Sequence, residues 1–296
     1  MNETSKEIMS GYVSAVEQTL KKYSLTPRLI QQASVGKAMD YSLEAGGKRI
    51  RPVLVQAFCD LCGGNAKNVL SAAAAIEMIH TFSLIHDDLP CMDDDDLRRG
   101  KPSCHKKFGE ACAVLAGDAL AVYPFEVISS DESLAPEIRV KLINELASST
   151  GAEGMIGGQI IDMENEARDD ISEQELIFMY SLKTGKLIKT ACVMGCIAAG
   201  ASDEQVKLAK EYAECLGLAF QIVDDILDVT ADEKKLGKPT GSDSEENKTT
   251  FVDLLGLDGA KKKAAELTEK SLEILDRFEN SGFLKELTEY LLVRDH

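Results

Sequence analysis

The sequence predicts an all-α fold on two observations. Apolar residues recur at three- and four-residue spacing almost everywhere, and alternating β-branched runs bounded by turn pairs are scarce. Residues 2–22 read as an amphipathic helix ending before Thr26-Pro27, and 31–44 as a second that stops at Ala45-Gly46-Gly47. A third opens at Pro52, whose ring presets a first helical turn. After the break at Gly63-Gly64-Asn65, residues 66–88 continue as an Ala-rich helix, ending near Leu89 because the residue before Pro90 disfavours α geometry. Further helices are predicted around 109–129, 136–160, 172–199 and 203–230. Residues 232–248 form the only long, strongly polar, glycine-containing connection and read as a lid. No Pro/Ser-rich linker or change of composition divides the chain, so residues 1–296 are expected to form a single domain.

Composition excludes several classes. Against 33 Lys+Arg stand 50 Asp+Glu, a formal net charge of −17, so the chain repels nucleic acid in general and must bind any anion locally. The first residues, MNETSKEIMSGYV, hold no basic segment followed by an apolar one, as a secretory leader would. The longest apolar run, 191–201, is shorter than the roughly 18 residues that suggest a span. A cytoplasmic protein without a membrane span is expected. The eight cysteines are scattered through Ala-rich segments, and Cys59-Asp-Leu-Cys62 lacks a second ligand pair at zinc spacing, so buried free thiols are expected.

Two acidic clusters end strongly apolar stretches. The first runs His86-Asp87-Asp88-Leu89-Pro90-Cys91-Met92-Asp93-Asp94-Asp95-Asp96, the second Gln221-Ile222-Val223-Asp224-Asp225-Ile226-Leu227-Asp228. Asp224 and Asp228 are four apart and share a helix face, while the break at Leu89-Pro90 allows Asp93 to return toward Asp87. Carboxylates concentrated on buried segments need cations, and oxygen-only ligands suggest Mg²⁺ or Ca²⁺. An EF-hand starting at Asp94 is excluded, since Arg99 stands where glycine is required and His105 where glutamate is. Mg²⁺ remains, commonly completed by substrate phosphates. Basic clusters lie nearby, Gly46-Gly47-Lys48-Arg49-Ile50-Arg51-Pro52 and Arg98-Arg99-Gly100-Lys101, with Lys238 and Lys248 in the lid segment. In so acidic a chain they point to phosphate recognition. The spacing of a P-loop is missing, and no GxGxxG follows a strand.

These residues resemble the trans-isoprenyl diphosphate synthase (polyprenyl synthetase) family, most closely its bacterial farnesyl type. The motifs that carry the resemblance are Gly46–Pro52, Ser83–Asp88, Arg98-Arg99-Gly100, Gly157-Gly158-Gln159, Lys183-Thr184-Gly185, Phe220–Asp228 and Gly237-Lys238, and the four residues between Asp88 and Asp93 match the longer bacterial first motif. The resemblance implies an all-α bundle around a central active-site cavity, usually a homodimer. The implied reaction is magnesium-dependent head-to-tail condensation of isopentenyl diphosphate with dimethylallyl or geranyl diphosphate, giving farnesyl diphosphate. Asp87, Asp93 and Asp224 would hold magnesium, about three ions per active site, with Asp88 and Asp228 as further ligands or supporting groups. Arg98, Lys183 and Lys238 would bind the allylic diphosphate, and Lys48, Arg51, His80 and Arg99 the isopentenyl diphosphate. Thr184 and Gln221 would line the reacting carbons, and Lys248 would help close the lid. The C-terminal Arg294-Asp295-His296 is less basic than many family tails.

The residues themselves add to this. His80, seven before Asp87, shares its helix face. Phe82 lies five before Asp87, about 7.5 Å down a helix at 1.5 Å per residue, and with the small Ser83 beside it forms the expected floor that stops the chain at fifteen carbons. His86 reads as a structural hydrogen-bonding group, Cys192 and Cys196 as packing positions, and Gln159 and Asp162 as either cavity groups or a buried polar patch. Competing readings are a C20 or C10 synthase, a terpene cyclase, which would not need the Lys48, Arg51 and Arg99 group, and a non-catalytic regulatory subunit.

Overall fold

Helix after helix follows in the computed structural model, which describes residues 1–230 and 248–292. Their order is α1 (Glu3–Lys22), α2 (Ala33–Leu43), α3 (Ile50–Leu61), α4 (Leu70–Asp87), α5 (Cys104–Phe108), α6 (Glu110–Ser129), α7 (Pro136–Thr150), α8 (Met155–Asn165), α9 (Glu173–Tyr180), α10 (Lys186–Ala199), α11 (Asp203–Thr230), α12 (Phe251–Leu275) and α13 (Gly282–Leu292). The strands among the described residues are β1 (Leu97–Arg98) and β2 (Lys101–Pro102), a minimal antiparallel hairpin between α4 and α5. Most of the lid segment, including Lys238, and the tail Arg294–His296 lie outside the described residues.

The central element is α4. It is apolar on nearly every face, the pattern of a helix surrounded by protein, and Ala72 to Met78 are buried without interruption. Around it α4 packs on α6, α3 on α10 and α11 on α12. By length and composition α4 with the 3₁₀ turn before it, and α6, could each cross a membrane, which counting uninterrupted apolar runs overlooks. The first is mostly buried inside the protein, whereas α6 leaves Val114, Leu115 and Val122 exposed.

Several boundaries differ from the sequence reading. The stretch 136–160 is two helices, because the backbone leaves helical geometry at Gly151 and Gly154. The stretch 172–199 is continuous but passes through a π segment, Ser181–Gly185, which periodicity cannot reveal. α3 begins two residues before Pro52, behind a left-handed Arg49, and Pro52 takes a first-turn position whose N–H needs no helical partner. α12 and α13 were not predicted. A usable signal existed in Thr250-x-x-Asp253, which forms a capping box at the start of α12. The cysteines are free thiols, as expected, but Cys91 is exposed and Cys62 and Cys112 only half-buried, since they sit at turns and helix ends.

Asp225 ties the far side of the bundle together. Buried on α11, it accepts hydrogen bonds from the Tyr180 hydroxyl at 2.9 Å and from the Phe251 amide at 2.9 Å. The second bond satisfies an otherwise orphaned N–H at the start of α12. Its neighbour Asp224 shares a helix face with Asp228.

Candidate active site

The C-terminal end of α4 builds the first wall. Asp87 is its last residue and Asp88 its cap; the chain then turns so that the Asp93 amide donates to the Asp87 carbonyl at 2.9 Å. Pro90, by ending the helix, is what permits this return. Burial is the largest cause pushing the Asp87 carboxyl up to about 6; the charges of Asp93 and Asp88 add to it, while Lys183 and Arg98 oppose. A carboxylate in that position is short of positive charge, and the donors around it are oxygens, so the cluster fits a hard divalent cation such as magnesium.

That deficit has a measurable consequence without metal. Asp87 binds its proton more tightly in the folded protein than at its ordinary value of 3.8, so its contribution to stability is complete below pH 3.8 and lost as pH rises through about 6. In chelator, Asp87→Asn should therefore melt with the parent near pH 4 and higher at pH 8, by an amount of about 1–3 kcal/mol. Magnesium should reverse the order at pH 8, because only the carboxylate gains from the ion. Equal melting at both pH values would remove the claim of an uncompensated charge.

Asp88 has a different environment. It is 2% exposed, and Arg98 donates to it from Nε at 2.8 Å and also from Nη2, which reaches Asp95 at 2.9 Å. The sequence reading treats Asp88 as a metal ligand or supporting group; in the structure its carboxylate is engaged by Arg98. The adjacent Arg99 diverges, because the hairpin turn places it and Gly100 in left-handed conformation, and its guanidinium donates to the Gly46 carbonyl.

The second wall comes from the π segment. Lys183 Nζ lies 2.5 Å from Asp162 Oδ2 on α8. Gly158, one turn before Asp162 on the same face, lets α8 approach so closely that a Cβ there would sit 2.3 Å from the Lys183 amide nitrogen. The sequence left Asp162 undecided between cavity and buried patch; it is the partner that orients Lys183. Lys248, expected in the lid, stands 3.9 Å from both Asp93 and Glu166, bridging the ends of α4 and α8. Sequence reasoning gave Glu166 no role.

Between these walls lies a cavity of about 540 Å³. Asp87, Arg51, His80, Lys183, Thr184 and Gln221 supply its polar lining, with Gln159 on α8, while Phe82, Met155, Ile156, Ile160 and Met163 make its apolar part. Ser83 lines it too, its hydroxyl donating to the His80 carbonyl. Arg51 Nε is buried and without a hydrogen-bond partner. Burial first, then the charges of Arg51, Arg99, Arg49 and Arg98, hold the His80 imidazole well below its usual range and so neutral. A neutral donor amid guanidinium groups suits an anion. Asp224 on α11 does not line this cavity but lies near enough for its charge to act on Arg51. Lys48 is exposed, with Nζ 6.0 Å from the Tyr290 ring centroid, and is not part of the cavity wall. His86 also borders the cavity, with its ring hydrogen-bonded to the Val114 carbonyl at 3.1 Å and edge-on to Phe82.

Asp94, Asp96 and His105 form a separate acidic group outside the cavity, with Lys106 Nζ 2.6 Å from Asp96.

The family model described as Polyprenyl synthetase matches residues 32–291. Farnesyl diphosphate synthase of Geobacillus stearothermophilus is 46% identical over 294 residues, covering 98% of this chain and 98% of that protein. The chloroplastic geranylgeranyl pyrophosphate synthase of Capsicum annuum is also 46% identical, over 265 residues, 88% of this chain and 72% of that one. A solved structure of Helicobacter pylori geranyltransferase, complexed with magnesium and isoprenyl diphosphate, superposes with a TM-score of 0.84 at 38% identity, covering 97% of this chain and 96% of that one.

Proposed function

This chain belongs to the polyprenyl synthetase family and is a prenyltransferase, and on that premise we propose that it condenses isopentenyl diphosphate with an allylic diphosphate, dimethylallyl or geranyl, to give the fifteen-carbon farnesyl diphosphate. The observation that carries the reading is the single cavity in which Asp87 and Lys183 meet Arg51 and His80 above an apolar wall containing Phe82. Asp87, Asp93 and Asp224, with Asp228 beside them, would hold magnesium, which when bound neutralises the charge that grows on a departing diphosphate. Asp88 acts through Arg98, fixing it at the first motif.

The chain's own groups do the rest. Lys183, oriented by Asp162, and Arg98 bind the allylic diphosphate; Lys238 lies outside the described residues but belongs with them by motif. As the allylic C–O bond breaks, the carbonyl and amide dipoles of Thr184 and Gln221 stabilise the cationic carbons. Arg51, His80, Arg99 and Lys48 hold the isopentenyl diphosphate so that its double bond attacks that carbon and forms the new C–C bond. The proton then lost goes to the released diphosphate. Met155, Ile156, Ile160 and Met163 keep out the water that would otherwise trap the cation.

The exposed face of α6, with Val140 on α7, supports the homodimer by offering apolar surface for a second copy. A single domain in the cytoplasm completes the reading.

Chain length is the finer claim, since one relative makes its name from fifteen carbons and the other from twenty. Incubation with magnesium, labelled isopentenyl diphosphate and each allylic primer in turn, followed by sizing of the dephosphorylated products, should give C15 as the dominant alcohol. Dominant C20 or C10 would overturn the chain length. No product from any primer would favour the non-catalytic subunit.

A further inference from the structure

Arg49 has no part in the reaction as described, yet it is the most constrained residue beside the cationic group. It is 4% exposed and occupies the left-handed region at φ 52°, where a side-chain-bearing residue stays only if held. Its guanidinium reaches Glu77 of α4 at 2.6 Å through Nη1 and the Leu43 carbonyl at 2.5 Å through Nη2. Three residues after Glu77, on the same face of α4, comes His80. The Glu77 charge also reaches Arg51 and Arg99, so one buried carboxylate underlies three arginines. Arg99 closes over Gly47, where φ is 122° and a Cβ would lie 2.6 Å from the Arg99 guanidinium carbon. Residues 45–51 are thereby held at two points, by Arg49 and by Arg99.

We propose that the buried Arg49–Glu77 pair is a positioning device for the isopentenyl diphosphate site, fixing residues 45–51 so that Arg51, two residues after Arg49, meets that diphosphate with His80 and Arg99. This rests on the proposed function for the identity of the anion. Arg49 itself touches no substrate. Its planar fork holds a carboxylate and a carbonyl at once, which an ammonium on a flexible stem cannot do. The allylic site is built on Asp87, Arg98 and Lys183 and does not depend on this loop.

Two variants test the device. Arg49→Lys keeps the charge and loses the fork; Arg49→Met combined with Glu77→Leu removes both charges, a replacement that buried pairs commonly tolerate in stability. Folding is checked by circular dichroism and melting. Each folded variant should raise KM for isopentenyl diphosphate by about tenfold or more, with the allylic KM and kcat within about threefold. An unchanged isopentenyl KM, or equal rises in both KM values, would overturn the proposal, the latter indicating general loosening. A second measurement separates this from the assigned reaction: titration calorimetry of inorganic pyrophosphate in chelator, where the metal-dependent site is silent. Weaker pyrophosphate binding by both variants supports the device even if the parent makes no prenyl product. Unchanged binding overturns it.

Discussion

Replacing Asp87 or Asp224 by alanine should lower kcat by at least about 100-fold, the scale of losing one preorganised electrostatic stabiliser. The two residues stand on different helices, Asp87 lining the cavity at the end of α4 and Asp224 on α11, where its charge acts on Arg51 of the cavity wall. Neither can stand in for the other, because cation held on only one side of a diphosphate leaves charge on the other side exposed as the C–O bond breaks. Asp225→Ala, by contrast, should act on stability, since its carboxylate joins Tyr180 and the start of α12 rather than facing the cavity. Steady-state kinetics at saturating magnesium, with circular dichroism to verify folding, distinguishes the cases. Near-normal turnover in a folded Asp87→Ala or Asp224→Ala protein would end the assignment of a metal site to these motifs.

Phe82→Ala should shift the main product from C15 to C20 or longer. The ring is 5% exposed, borders the cavity five residues before Asp87, and is held edge-on by His86 at 5.6 Å, so it stands below the metal motif as a fixed obstacle. Ser83 beside it is too small to take over. Removing a buried phenyl group costs about 3–5 kcal/mol where the site cannot relax. Here the buried ring already borders a cavity on one side, so the loss should fall toward the lower end. Chromatography of the dephosphorylated alcohols gives the answer. Persistent C15 from a folded, active Phe82→Ala protein would place the floor elsewhere, the apolar residues of α8 being the next wall.

Local physics made much of this protein legible in its sequence. Three- and four-residue periodicity announces helices wherever one face is buried, so the all-α class and most helix positions follow from it. Pro90 announces the turn after α4, since proline acts on its neighbour's backbone, and the structure uses that turn to bring Asp93 back against Asp87. Paired carboxylates in apolar surroundings announce a cation for a similarly local reason. What the sequence could not give depends on approach between distant segments. The break of 136–160 is set by backbone geometry at Gly151 and Gly154, and the π turn that presents Lys183 keeps the apolar period of an ordinary helix. Asp162 becomes the partner of Lys183 only because Gly158 lets α8 lie against that turn. Which aspartate of each pair is tied into the scaffold was likewise decided in three dimensions: Arg98 engages Asp88, and Tyr180 with Phe251 engages Asp225. Glu77 reads in sequence as one charge in an apolar helix, and Arg49 as one more basic residue in a basic motif. Only their burial against each other makes them a pair, because a charge removed from water must find its counter-charge through space, at whatever separation along the chain the fold provides.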